Sequence, residues 1–180
     1  MPSLRLLYSN AADRATTLTA STEAGTLVVE NLLTDIKAEK WRATTTSATL
    51  TLEWTTAEII GVVALPFCNL STFATIRVRG YTNTADVVAA VDTGTVYACP
   101  NTVFDTMEWG MQPLGEAAGT YSEVTYANVW VQPTNCKKIV IDIVDTDNED
   151  LYIEASKLVL GTYWEPVLQV LCKCKQLKRV

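Results

Sequence analysis

Histidine is absent from this chain of 180 residues. That absence removes Ser-His-Asp and Cys-His catalysis and every histidine-containing zinc site. An enzyme built from this sequence would rest on carboxylates, a lysine nucleophile or a borrowed cofactor. No such set is recognisable, so the chain reads as non-enzymatic. A Gly-rich phosphate loop is missing as well. No apolar run approaches the ~20 residues of a membrane span, and the start, MPSLRLLYSN, lacks the apolar stretch of a secretory signal. A soluble protein made in the cytosol is expected. Basic residues are outnumbered, 14 Lys and Arg against 20 Asp and Glu, for a net charge of −6. A nucleic-acid partner is therefore not expected, because phosphate binding needs a basic face. The five cysteines, at 68, 99, 136, 172 and 174, have no framework spacing. Cys172 and Cys174 are too close for an ordinary disulfide on one strand and make a poor zinc half-site. Reduced thiols are expected. Neither a helix longer than two turns nor an internal repeat is apparent.

What is present is apolar and alternating. Hydrophobic residues make up 48% of the chain, enough for a core without disulfide staples. Ala48 to Trp54 sets Leu50, Leu52 and Trp54 on one face and Thr49, Thr51 and Glu53 on the other, the period-two pattern of a half-buried strand. Ile59 to Phe67 is almost wholly apolar, as in a strand covered on both faces. After the polar loop Cys68–Thr72, Ala74 to Tyr81 alternates, with Ile76 and Val78 inward and Thr75, Arg77, Arg79 and Tyr81 outward. Ala127–Gln132, Lys138–Val144 and Leu151–Leu160 read as further strands, and Leu4–Tyr8 as a short one. Asn31–Asp35 reads as a helical turn or loop. About eight strands point to an all-β jelly-roll sandwich.

Three divisions are expected: a strand and arm over 1–27, the sandwich over 28–163, and a C-terminal tail over 164–180. The sandwich carries a loop insertion over 92–123, rich in Gly and Pro and holding Tyr97, Phe104, Trp109 and Tyr121. A connection of that length in a compact domain usually has a job. The tail combines an apolar piece, Val167–Leu171, with Lys173, Lys175, Lys178 and Arg179. It is open to three readings: an edge strand on its own domain, a reach to a neighbour, or partial disorder.

The order of these pieces resembles a family of tailed-phage structural proteins with a discoidin-like (galactose-binding-like) β-sandwich. The resemblance runs over roughly residues 28 to 166. It rests on Asn31-Leu32-Leu33, Trp41-Arg42-Ala43, Leu52-Glu53-Trp54, Ile60–Leu65 leading into Cys68-Asn69-Leu70-Ser71, and Ala74–Arg79. Ile141-Asp142-Ile143 with its acidic turn, Tyr152-Ile153-Glu154, Lys157–Gly161 and Trp164-Glu165-Pro166 complete it. Cys68 stands where similar sequences tend to have histidine, and the basic end after Pro166 lies outside the pattern. The resemblance implies a structural part of the distal virion tail, in a tail tip or baseplate, assembled in the host cytoplasm. Its partners would be other tail proteins (hub, tail tube or fibre proteins). A lectin-like module contacting host-surface glycan is the alternative.

Candidate sites follow, each with a plainer reading beside it. Asp142, Asp145, Asp147, Glu149 and Asp150 offer carboxylates that suit Ca2+, a hard cation seeking six to eight oxygens; the plainer reading is a solvated hairpin. No other cofactor is expected. Trp109 and Tyr97, with Phe104 and Tyr121, make either a sugar or protein platform or a satellite core that pins the loop. Asn69, Ser71, Arg77 and Arg79 would lie near a glycan-binding rim if loops at one end bind sugar, as the resemblance implies. Arg77 and Arg79 otherwise belong to an ordinary wet strand face. Trp164, Leu168, Leu171 and Lys173 are the candidate protein contacts, the tail docking by strand addition. Trp41, Trp54 and Trp164 are expected in the core or at its edge.

Overall fold

The alternating and apolar segments become strands in the computed structural model, which describes residues 5–99 and 125–165. In chain order these are β1 (Leu6–Leu7), β2 (Thr17–Ala20), β3 (Trp41–Arg42), β4 (Ser47–Cys68) and β5 (Thr75–Tyr81). Then come β6 (Val91–Asp92), β7 (Val96–Tyr97), β8 (Thr125–Val144), β9 (Glu154–Ala155), β10 (Val159–Gly161) and β11 (Tyr163–Trp164). The helical turn expected at Asn31–Asp35 is a 3-10 turn over Val29–Leu33.

Two long strands organise the molecule. β8 runs antiparallel to β4 from Ser47 opposite Val144 to Cys68 opposite Thr125. The halves of β4 have different outer neighbours: β2 lies along Leu50–Glu53 and β10 along Val62–Ala64. β5 joins only the C-terminal half of β8, and β6 and β7 then pair with β5. Two β layers result, joined through β4 and β8. Register irregularities between Glu53 and Glu58 and between Ile60 and Val62 mark where the strands bend. Inward parity changes there. Leu50, Leu52 and Trp54 face the core before the bends, and Val63 and Leu65 after them. On β8 the core residues include Val129 and Val131 on one half and Ile139, Ile141 and Ile143 on the other.

The stretch read as two separate strands, 127–132 and 138–144, is therefore one. Pro133 sits in the irregularity, where a residue without a backbone N–H is tolerated. Ile59–Phe67 and Ala74–Tyr81 are not hydrogen-bonded to each other. Both instead pair with β8. Coverage on both faces holds for the middle of Ile59–Phe67 and not for its ends, since Ile59 and Phe67 are exposed. The outer face of that middle is covered by Tyr163, so close that a Cβ on Gly61 would lie 2.9 Å from its Cε1. Tyr81, expected outward, is buried, and Lys138 Nζ lies 4.5 Å from its ring centroid.

Residues expected as an N-terminal arm belong to the sandwich. β2 extends the sheet, Ala11 and Ala12 are fully buried, and Trp54 Nε1 donates to the Ala11 carbonyl at 2.9 Å. β1 pairs with β11, tying the two ends of the described chain together. Trp41 and Trp54 are core, as expected, but Trp164 is 57% exposed on that ribbon. Of the 92–123 insertion, residues 92–99 are described. Phe104, Trp109 and Tyr121, with Leu168, Leu171 and Lys173 of the tail, lie outside the described residues.

Candidate functional site: a polar cleft at the loop end

The turn after β4 and the acidic turn after β8 meet at one end of the sandwich. Asn69 stitches them. Its side-chain amide donates to Asp150 Oδ2 at 2.9 Å and to the Tyr152 carbonyl at 3.0 Å. Its Oδ1 accepts the Glu154 N–H at 2.7 Å, and its backbone carbonyl accepts from Asn148 Nδ2 at 3.0 Å. Asp145 makes the second stitch. This buried carboxylate accepts the Ser71 N–H at 2.7 Å, the Ser71 hydroxyl at 2.5 Å and Asn148 Nδ2 at 3.1 Å. Buried polar groups need partners of this kind. At the tip of the acidic turn Leu151 holds a left-handed backbone, φ 62°.

Between the stitched loops and β3 and β9 lies a cleft of about 820 Å3. Lys40, Arg42 and Glu154 form one wall. Glu154 accepts from Lys40 Nζ and, on its other oxygen, from Arg42 Nε at 2.9 Å and Nη2 at 2.5 Å. Burial raises the Glu154 carboxyl pKa, but the bonds from Lys40 and Arg42 outweigh it and hold the group below its ordinary value. The Arg42 guanidinium also lies 4.1 Å from the Tyr152 ring centroid, a cation–π contact that fixes both side chains. Asp147, Glu149 and Asp150 also line the cleft, as does Phe73, which is 63% exposed.

The expected calcium ligands are placed apart. Asp145 is buried against Ser71, Asp150 is bound by Asn69, and Asp147 and Glu149 are exposed. Among the described residues no three His, Cys, Asp or Glu side chains form a group able to hold a metal ion. Asp142 lies on the sheet face, accepting from Arg79 Nη2 at 2.5 Å and from the Thr49 hydroxyl at 3.0 Å.

Nor do the expected rim residues form one site. Asn69 and Ser71 line the cleft, whereas Arg77 and Arg79 stand on the outer face of β5 in a crossed ladder. In register Arg77 lies opposite Asp142 and Arg79 opposite Asp92. Their ion pairs run diagonally: Arg77 grips Asp92 at 2.9 and 2.6 Å, and Arg79 bonds Asp142. Tyr97, opposite Thr75, is exposed on β7. Lys40, Arg42, Phe73, Tyr152 and Glu154 are not among the site residues expected from sequence, although Arg42, Tyr152 and Glu154 lie in motifs that carry the resemblance. A signal existed in the two short alternations, Lys40 with Arg42 and Tyr152 with Glu154, each of which sets two polar side chains on one strand face.

The thiols of the described part take no share in the cleft chemistry. Burial pushes Cys68 up to about 11 and Cys99 up to about 12, and it raises Cys136 as well. Such thiols are poor nucleophiles at neutral pH.

No family model and no curated relative matches this sequence. Solved structures do match the fold. The module CBM32-3 from a family 31 glycoside hydrolase of Clostridium perfringens aligns with TM-score 0.56 and 14% identity, over 86% of this chain and 99% of that one. The fold is a discoidin-like, galactose-binding-like β-sandwich. Chitosan-binding module 1 from a chitosanase/glucanase of Paenibacillus sp. IK-5 aligns with TM-score 0.57 and 9% identity, over 86% and 100%. A family 29 fucosidase of Ruminococcus gnavus, solved with fucose, gives TM-score 0.59 and 11% identity over 87% of this chain. This chain spans 27% of that fucosidase. At these identities the likeness is one of fold.

Proposed function

We propose that this chain is a non-catalytic carbohydrate-binding module whose glycan sits in the loop-end cleft. The cleft itself carries the reading. It is concave, within the ~300–1,000 Å3 range of small-ligand sites, and it sets an exposed Phe73 ring beside many fixed polar groups. An aromatic face covers the C–H surface of a sugar ring, while carboxylates and amides take its hydroxyls. Two similar folds, a CBM32 module and a chitosan-binding module, support the assignment.

Charge narrows the ligand. Lys40 and Arg42 are both engaged by Glu154, while Asp147 and Glu149 have no cationic partner among the described residues. Neutral or amine-bearing sugars fit this lining better than uronates, whose carboxylates would meet like charge. The tail-tip role expected from the family resemblance draws nothing from the matched structures. Host-surface glycan is therefore placed ahead of tail proteins as the partner.

A glycan array probed with the full chain tests the reading. Binding is expected to neutral or amine-bearing glycans, and Phe73→Ala should weaken it about tenfold, the scale of one aromatic contact. Flat binding across the array, or a Phe73→Ala variant that binds like the parent, would sink the proposal.

A further inference from the structure

A second concave surface lies on the flank of the sandwich, away from the loop-end cleft and sharing no lining residue with it. It is a groove of about 500 Å3 between the β6–β7 segment and the N-terminal half of β8. Val91 and Val96 form one wall. On β8 the alternate residues Asn128, Trp130 and Gln132 share one strand face, about 7 Å apart at twice the strand rise. An indole is thus flanked on both sides by amides.

No hydrogen bond of the Asn128 amide, the Gln132 amide or the Trp130 indole N–H is found among the described residues. Trp130 is 43% exposed even so, and its orientation is set from behind. The Tyr163 ring meets it edge to face at 5.2 Å, and the Arg5 guanidinium lies 4.7 Å from its centroid. An aromatic ring held by such contacts while nearly half exposed has already lost the rotational freedom that binding would otherwise cost. Among the described residues the one ionisable group lining the groove, Asp92, is neutralised by the two-bonded grip of Arg77. The Thr93 hydroxyl is occupied by the Gly94 carbonyl and the Val78 N–H.

We propose that this groove is a second carbohydrate-binding site, one that takes a neutral hexopyranose chain. Trp130 would stack on the apolar face of one sugar ring. Asn128 and Gln132 would bond the hydroxyls of the rings on either side, each amide offering two donors and an acceptor. The absence of uncompensated charge separates this site from the acidic cleft and favours uncharged polymers. A protein partner is the weaker fit, because free amides rather than apolar anchors flank the ring.

The experiment is affinity electrophoresis of the full chain in native gels cast with galactan, mannan or dextran. Variants Phe73→Ala, Trp130→Ala, Trp130→Phe and Gln132→Ala are run singly, and Trp130→Ala and Gln132→Ala also in the Phe73→Ala background. At least one neutral polymer should still retard Phe73→Ala. Adding Trp130→Ala should weaken that residual binding about tenfold and Gln132→Ala several-fold, while Trp130→Phe keeps most of it. Unchanged melting temperatures show that the variants are folded, and Trp130→Phe with Gln132→Ala carries the test if Trp130→Ala is not. Loss of all retardation on Phe73→Ala alone, or residual retardation indifferent to Trp130 and Gln132, overturns the proposal. So does a Trp130→Ala variant that changes only the sedimentation of the chain, since the face would then be a protein contact. A Phe73→Ala variant without effect beside an effective Trp130→Ala would fail the cleft and leave the groove standing.

Discussion

Asp145 offers the sharpest test of how this fold builds its cleft. Replacing it with alanine removes the acceptor for three donors at once: the Ser71 N–H, the Ser71 hydroxyl and the Asn148 amide. Hydrogen bonds to a charged group are worth roughly 1.5–3 kcal/mol each, and donors left buried without a partner cost a similar amount. The three share one acceptor and are not additive, so the loss should come to about 3–5 kcal/mol, the range found when one member of a buried charged network is deleted. Asp145→Asn would be gentler, because the amide oxygen still accepts the Ser71 N–H and the amide nitrogen donates to a rotated Ser71 hydroxyl. That oxygen also keeps the Asn148 bond, since both donors meet the same Asp145 oxygen; the acceptor's charge and the Ser71 hydroxyl's own donation are forfeited, and a loss of about 1–3 kcal/mol is expected. Urea unfolding with a constant slope reads both values as midpoint shifts. Glycan affinity should fall alongside, since Ser71 and Asn148 line the cleft. Asp145→Ala within about 1 kcal/mol of the parent, or equal to Asp145→Asn, would refute the clasp.

Other expectations follow from single features. The Arg77 guanidinium, with the Gly94 N–H, holds the Asp92 carboxyl down at about 2 against an ordinary 3.8. A depressed carboxylate contributes its full stability above the ordinary value and loses it as pH falls through about 2. Asp92→Asn should therefore flatten the acid limb of a urea-midpoint profile below about pH 4, and profiles that stay parallel would count against the pair. Gly161 has φ 154°, and an added Cβ would lie 2.8 Å from the Ser9 carbonyl oxygen; Gly161→Ala should cost about 1–3 kcal/mol in the same assay, with a neutral result excluding that close approach. Because burial raises the thiol pKa values of Cys68, Cys99 and Cys136, iodoacetamide at pH 8 should spare their peptides in the native protein and label them in urea. Prompt native labelling of Cys99, read by mass spectrometry, would contradict its burial.

The all-β class and much of the core were legible because strand burial has a period of two residues and is written locally. Leu50, Leu52 and Trp54, and Ile139, Ile141 and Ile143, could be assigned to an inner face without knowing what they pack against. Tyr81 escaped the rule because it ends its strand beyond Gly80, where the alternation breaks. Pro133 invited a division of β8, since a proline interrupts pairing chemistry without showing that a long strand can bulge around it. The resemblance to galactose-binding-like sandwiches survived in the fold, which depends on the order of strands, and drew no support for the tail role.

By itself the sequence determined that this chain folds as a β-sandwich with a loop-bearing end, through patterns that need only neighbouring residues. Tertiary structure alone decided which polar side chains form a site. Asn69, expected near a rim, lines the cleft and also clasps its loops; Asp145, expected as a metal ligand, is buried against Ser71. Lys40 and Arg42 become a cleft wall because Glu154, more than a hundred residues further along, reaches them both. A carboxylate has the same intrinsic chemistry in solvent, in an ion pair or beneath a loop. Its role is set by which donors the fold brings within about 3 Å, and those donors come from parts of the chain that no local pattern connects.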